Sequence, residues 1–200
     1  MAPNILLNGE LYKPNLDDLP CLIHGHAKAG ASEFTVSYLA DLFHQGTKLL
    51  FISGFPMAQK KFVDYVEPQK RQHITLVQTP DELVRAAHYQ AILPTPGNYE
   101  LLSTALIQLP DITERVVILK NFELLTRPEI LLQVLKMPKW ILSGNLDQCV
   151  SADLVLTESR NTTVLFSPTR YEVGFMSPHL SKYQGYLQST RKSGEITVSL

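Results

Sequence analysis

Apolar residues along this chain fall in short runs separated by amphipathic segments, the alternation that βαβ units require. The runs that read as strands are Pro20–His24, Lys48–Ser53, Ile74–Val77, Val116–Leu119 and Trp140–Ser143, with Ala91–Leu93 as a shorter one. They are apolar at successive positions, so they suit central parallel strands covered on both faces. Between them, residues 32–45 repeat at helical spacing. Phe34, Tyr38, Leu39, Leu42 and Phe43 share one side, Ser37, Asp41 and Gln45 lie off it, and Gly46 is a natural stop. Segments near 57–66, 80–89, 99–109 and 128–136 read as helices in the same way. Thr79-Pro80-Asp81-Glu82 supplies a cap, a proline at the first helical position and acids in the first turn, and Thr126-Arg127-Pro128-Glu129 resembles it. From Thr162 the pattern changes to T-T-V-L-F-S and then to a stretch that predicts a hairpin with Lys192-Ser193-Gly194 at its turn. The expected architecture is a single α/β domain over residues 1–200. Its core covers about 18–166, and a strand extension over about 167–200 adds antiparallel strands to a mainly parallel sheet.

The most informative stretch follows the first of these strands: Gly25, His26, Ala27, Lys28, Ala29, Gly30, Ala31 and Ser32. A phosphate-binding loop reads G-x-x-x-x-G-K-[ST] between a strand and a helix. Gly25 and Gly30 have that spacing and Ser32 stands at the hydroxyl position. Such glycines let backbone N–H groups wrap an anion at a helix N-terminus, and the hydroxyl holds a magnesium ion. The lysine of the pattern is absent. Ala31 occupies its place, and Lys28 lies inside the loop, three residues earlier. A second position is altered as well. The strand that would end in a magnesium-binding aspartate is V-V-I-L-K-N-F-E, with Lys120 and then Asn121 at its end. A positive charge there repels magnesium, or takes part of its space. This reading expects the Lys120 strand to neighbour the loop strand, and Glu123 beyond it to be a solvated turn residue. In W-I-L-S-G-N-L-D, Ser143 or Asn145 could stand near a γ-phosphate, or the segment is a plain strand end followed by a turn.

Charge narrows the partners. Lys and Arg total 18 against 19 Asp and Glu, a net charge of −1, which excludes a basic-tail nucleic-acid binder while leaving room for a local basic groove. Charged residues are only 18% of the chain, below the usual quarter, which leaves surface for a protein partner. The basic pairs Lys60-Lys61, Lys70-Arg71 and Arg191-Lys192 are solvated faces or parts of a nucleic-acid patch, and Tyr183 and Tyr186 beside the last pair are the one aromatic–basic mixture. Cys21 and Cys149 sit in or beside apolar runs and are expected to be buried thiols. His24 and His26 could bind a metal, but no third ligand lies at useful spacing, so none is expected. No G-x-S-x-G elbow is present. The N-terminal residues lack a basic n-region and no apolar stretch approaches a membrane span, so a cytosolic chain is expected.

Taken in order, the G-x4-G-A-S loop, K-L-L-F-I-S, V-V-I-L-K-N, K-W-I-L-S-G-N, A-D-L-V-L-T-E and the closing K-Y-Q-G-Y-L…G-E-I-T-V-S-L resemble the RecA-like cores of the P-loop NTPase superfamily. Within it the chain is most similar to the HerA–FtsK and conjugative-transfer (type IV secretion, TraG-like) ATPases. That resemblance implies a three-layer fold, ATP at the loop, and a hexameric motor that moves DNA or protein. Ala31 and Lys120 depart from the family's pattern, and no all-helical insert is evident. The expected function is therefore a non-catalytic pseudo-NTPase, a binding or scaffolding subunit that partners an active P-loop ATPase or itself. The rivals are a weak ATPase using Lys28 and a DNA-associated module without nucleotide.

Overall fold

The computed structural model describes residues 2–171 and 181–199. The part of the expected C-terminal extension between them, with His179, lies outside the described residues. The elements in chain order are β1 (Asn4–Leu7), β2 (Glu10–Leu11), β3 (Cys21–His24), α1 (Ala31–His44), β4 (Leu49–Ser53), α2 (Pro56–Tyr65), β5 (Ile74–Val77), α3 (Pro80–Arg85), β6 (Ala91–Pro94), α4 (Tyr99–Gln108), β7 (Val116–Lys120), α5 (Pro128–Leu135), β8 (Trp140–Gly144), α6 (Ala152–Thr157), β9 (Thr162–Leu165), β10 (Gln184–Ser189) and β11 (Ser193–Ser199).

The strands form one sheet in the order β2-β1-β11-β10-β9-β3-β8-β7-β4-β6-β5. From β9 to β5 every pairing is parallel, and from β9 through β10, β11 and β1 to β2 every pairing is antiparallel. The mixed sheet foreseen from the apolar runs is present. Strand side chains alternate between two cores, as a period of two requires. Leu22, Leu50, Ile52, Val117, Leu119 and Leu142 pack with α3, α4, α5 and α6 on one face. Cys21, Ile23, Phe51, Ile118 and Ile141 pack with α1 and α2 on the other. Both cysteines are buried and neither forms a disulfide.

The Thr79 cap is present: its hydroxyl accepts the Glu82 amide (3.3 Å) while the Glu82 carboxylate accepts the Thr79 amide (3.3 Å), so two otherwise orphaned donors are satisfied. Thr126 plays no such role, because α5 begins at Pro128 and Arg127 precedes it without a side-chain cap. The C-terminal hairpin also corrects its expected turn. Ser193 and Gly194 belong to β11, and the chain reverses at Ser189–Lys192, where the Ser189 amide donates to the Lys192 carbonyl (2.8 Å). Gly194 reflects a close approach instead: a Cβ there would overlap the side chain of Asn8, whose Oδ1 accepts the Glu195 amide (2.9 Å). Asn8 and Gly9, both at positive φ (51° and 84°), close the β1–β2 hairpin as an Asn-Gly turn.

Among the described residues, no helix is long and apolar enough to cross a membrane.

Candidate functional site at the strand ends

β3, β8, β7 and β4 lie side by side, and their carboxyl ends open into a cavity of about 520 Å³. Open α/β sheets place ligands at this edge. Of the residues singled out in the loop, Gly25, His26, Ala27, Lys28, Gly30, Ala31 and Ser32 line the cavity. Ala29 does not. It packs against the α1–α2 core, and its carbonyl accepts the Tyr183 amide (3.0 Å).

The loop needs its glycines. A Cβ on Gly25 would stand 2.6 Å from the Ala31 Cβ and 3.1 Å from the Phe166 Cβ, so a side chain there would push the loop off the helix start. Gly30 has φ 116° and is the N-cap of α1 without any side-chain cap. The first-turn amides Ala31, Ser32 and Glu33 accordingly have no partner within the helix, and the ladder begins with the Phe34 amide donating to the Gly30 carbonyl (3.0 Å). Lys28 also stands at positive φ (66°), which turns the loop back toward the helix. The result is a set of backbone donors at the positive end of a helix dipole, arranged for an anion.

β8 lies between β3 and β7, so the Lys120 strand is one strand removed from the loop strand rather than beside it. Lys120 nevertheless lines the same cavity. It is 6% exposed and pairs in register with Ser143 on one side and Ser53 on the other. Burial lowers its ammonium below the usual lysine range, partly opposed by the nearby Glu123 carboxylate. Glu123 is not a solvated turn residue. It lines the cavity, and its Oε2 accepts the Asn145 amide (3.1 Å) over Gly144, where any side chain would overlap it. The two polar candidates on the β8 segment separate cleanly. The Thr35 hydroxyl donates to the Ala31 carbonyl (2.7 Å), so the buried Ser143 hydroxyl donates to Thr35 (2.6 Å) and faces α1. Asn145 is the one that lines the cavity.

Sequence spacing missed contributors that arrive from afar. Lys182 and Tyr183 reach the rim from the C-terminal segment, with the Lys182 ammonium 4.8 Å from the Tyr183 ring centre. Tyr183 does not join Arg191 and Lys192 in one patch: it meets Gly30, while those two residues engage Asp17 and Asp18. Lys61 lines the cavity and is paired with Glu33, which also accepts the Tyr65 hydroxyl (3.0 Å). This contact and burial, the larger cause, push the Tyr65 phenol up to about 12.

A third ligand for the histidine pair does exist in space. The ligand atoms of His24, His26 and Asp147 lie within 4.8 Å of one another. Their hydrogen bonds do not suit a metal. The His24 Nδ1 accepts the Leu146 amide (3.0 Å), so the neutral ring carries its proton on Nε2, 3.3 Å from the Pro168 carbonyl. Burial lowers the His24 pKa and keeps the ring neutral. Freeing Nε2 for a metal would break the Leu146 bond. One oxygen of Asp147 is committed too: Oδ1 accepts from the Thr169 hydroxyl (2.6 Å) and the Arg170 amide (3.1 Å), while Oδ2 faces the His26 Nε2 at 3.3 Å.

No protein-family model and no curated protein matches the chain. Solved structures do. The genome packaging NTPase B204 from Sulfolobus turreted icosahedral virus 2, in complex with AMPPCP, superposes with a TM-score of 0.62 at 13% identity, covering 94% of this chain and 100% of that one. EssC (ATPases 2 and 3) from Geobacillus thermodenitrificans gives 0.60 at 14% identity, covering 99% of this chain and 40% of that one. The cytoplasmic domain of EssC gives 0.59 at 14%, over 99% of this chain and 43% of that one. With the loop, helix and strand order above, these likenesses show that the chain has the α/β, RecA-like fold of P-loop NTPases.

Proposed function

We propose that this chain is a non-hydrolysing P-loop subunit that binds a phosphate-bearing ligand, ATP foremost, on the Gly25–Ser32 loop and works through a protein partner, either an active P-loop ATPase or another copy of itself. The observation that carries the reading is Lys120, a buried cation at the strand end where a magnesium-binding carboxylate is required for phosphoryl transfer. Ala31 adds the loss of the ammonium that grips the β- and γ-phosphates. The loop keeps its amides and its glycine geometry, which is what supports retained anion binding. The similar packaging NTPase was captured with AMPPCP, ATP-γS, AMP and sulfate, which is the ligand chemistry this loop suits. Against the DNA-module reading, Lys61, Lys70, Arg191 and Lys192 each have an intrachain acidic partner.

Turnover of MgATP is expected far below the enzymatic range of about 1 per second and above. A steady-state phosphate-release assay checks it, and turnover in that range abolished by Ser32→Ala would refute the reading. Glu123 favours one rival specifically: a carboxylate and Lys28 share the cavity, as an atypical ATPase would need. That rival predicts a measurable rate lost in both Glu123→Gln and Lys28→Ala.

Restoring the lysine tests the loop itself. Ala31 lines the cavity, so Ala31→Lys can place an ammonium against a bound phosphate. A charge-assisted hydrogen bond of roughly 1.5–3 kcal/mol is expected, about one to two decades in Kd. Hydrolysis stays absent because Lys120 remains. If the folded variant binds ATP no more tightly than the parent, the loop is an ordinary βα turn.

A further inference from the structure

We propose that the cavity takes a polyphosphate chain in its metal-free form, with the Lys120 ammonium standing where a divalent cation would otherwise bridge the phosphate oxygens. This rests on the reading that the Gly25–Ser32 amides hold a phosphate, and it names the ionic form that they hold.

Lys120 is more than nine-tenths buried and lines the cavity, yet among the described residues its ammonium has no hydrogen-bond partner and no carboxylate within 4.0 Å, its carbonyl alone accepting the Gly54 amide (3.0 Å) outside the strand ladder. A buried charge without a partner costs several kcal/mol unless something supplies the counter-charge. Glu123 supplies only part of it: its carboxylate acts on Lys120 from beyond ion-pair distance, with Oε2 held by the Asn145 amide and Oε1 facing the Asn121 side-chain amide at 3.4 Å. The Lys120 ammonium is therefore presented to whatever occupies the cavity.

The rest of the lining points to an anion and away from a divalent cation. Lys28, Lys61, Lys120 and Lys182 face it against two carboxylates, Glu33 and Glu123. Glu33 is paired with Lys61. Magnesium takes an octahedral set of oxygens, usually one or two carboxylates with the substrate phosphates and several waters. Ser32 offers its hydroxyl, but the position that should bring the carboxylate brings an ammonium instead. A metal complex of the same phosphate would carry its own positive charge toward Lys120, so the metal-free polyanion is the better fit. Lys120 supplies its counter-charge at the end of β7.

The test is isothermal titration of the full chain with ATP, with ADP and with inorganic tripolyphosphate, each in EDTA and in excess magnesium. Binding in EDTA is expected to be at least about tenfold tighter than in magnesium. Lys120→Met should weaken it by roughly tenfold to a hundredfold, the range of a charge-assisted hydrogen bond. The same variant should melt no lower than the parent, because an unpaired buried charge is replaced by an apolar chain of similar length. Lys120→Arg should retain binding. Equal binding of tripolyphosphate and ATP assigns the site to the polyphosphate alone, while preference for ATP adds a base contact; both support the inference. Binding that requires magnesium, or that ignores Lys120→Met, overturns it and leaves the phosphate loop standing if Gly30→Val still weakens binding. No binding of any of these ligands in either buffer overturns the loop reading itself.

Discussion

Alanine at Arg115 is expected to cost about 3–5 kcal/mol of folding stability, the range for removing one member of a buried ion pair. Arg115 is fully buried immediately before β7, under the end of the sheet opposite the cavity. Its Nε and Nη2 donate to the two oxygens of Asp111 (both 2.9 Å), a bidentate pair. Its remaining donors meet the carbonyls of Leu49, Gln90, Ala87 and Tyr89 at 2.9–3.2 Å. One side chain thus ties the starts of β4 and β7 to the turn before β6. Truncation removes these donors in a dry place; the Gln90 carbonyl keeps the Leu49 amide (2.8 Å), and any carbonyl left without a partner costs about 1–3 kcal/mol. Lysine cannot replace the fork, so Arg115→Lys should recover little. Urea unfolding is the measurement, and a loss under 1 kcal/mol, as for an average surface substitution, would contradict this account. Acid adds a second signature. Burial alone would raise the Asp111 carboxyl, but hydrogen bonds from Arg115 and Lys48 outweigh it and hold the carboxyl below its ordinary value. Its stabilisation is therefore present above the unfolded carboxylate pKa of about 3.9 and is lost as pH falls through the lower folded value. That acid-side loss should shrink in Arg115→Ala.

The central strands were legible because each is apolar at consecutive positions, and the structure uses both parities: Cys21 and Ile23 face α1, while Leu22 faces the opposite helices. The loop was legible because its strand–turn–helix context is local. What local pattern could not show is which strand ends meet. His26 and Asp147 are 121 residues apart and touch because β8 inserts beside β3. The same insertion removes Lys120 from direct adjacency to the loop and draws Glu123 over Gly144. Spacing along the chain carries no record of such crossovers. The β1–β2 hairpin is a different case, since Asn8-Gly9 after an apolar run is a direct local turn signal. Tyr183 was visible only as part of a basic–aromatic cluster. Its position against Gly30 depends on β10 pairing with β9, a long-range event.

Valine at Gly30 is expected to weaken anion binding by roughly one to two decades in Kd while leaving the sheet folded. Gly30 holds φ 116°, a region where a β-branched residue is a genuine outlier. Strain of this kind costs on the order of 1–3 kcal/mol, and here it would be relieved by moving the loop. Space is short as well as conformation. A Cβ at Gly30 would lie 2.8 Å from the Tyr183 Cα and 3.2 Å from its amide nitrogen, so backbone and not a flexible side chain must give way. The Tyr183 amide donates to the Ala29 carbonyl (3.0 Å), so displacing Tyr183 also releases the loop from the C-terminal segment. Both routes rotate the Ala31–Glu33 amides away from a common centre. Those amides are the donors that remain without a loop lysine, which is why a loss of roughly one to two decades in Kd follows from strain of that size. Gly46→Val is the control. Gly46 is also at positive φ (89°) but meets nothing within 4 Å and lies at the far end of α1, so it should lose some stability and keep full affinity. Equal affinity of the Gly30→Val protein and the parent for ATP, in a chain that circular dichroism shows to be folded, would place the anion site somewhere other than this loop.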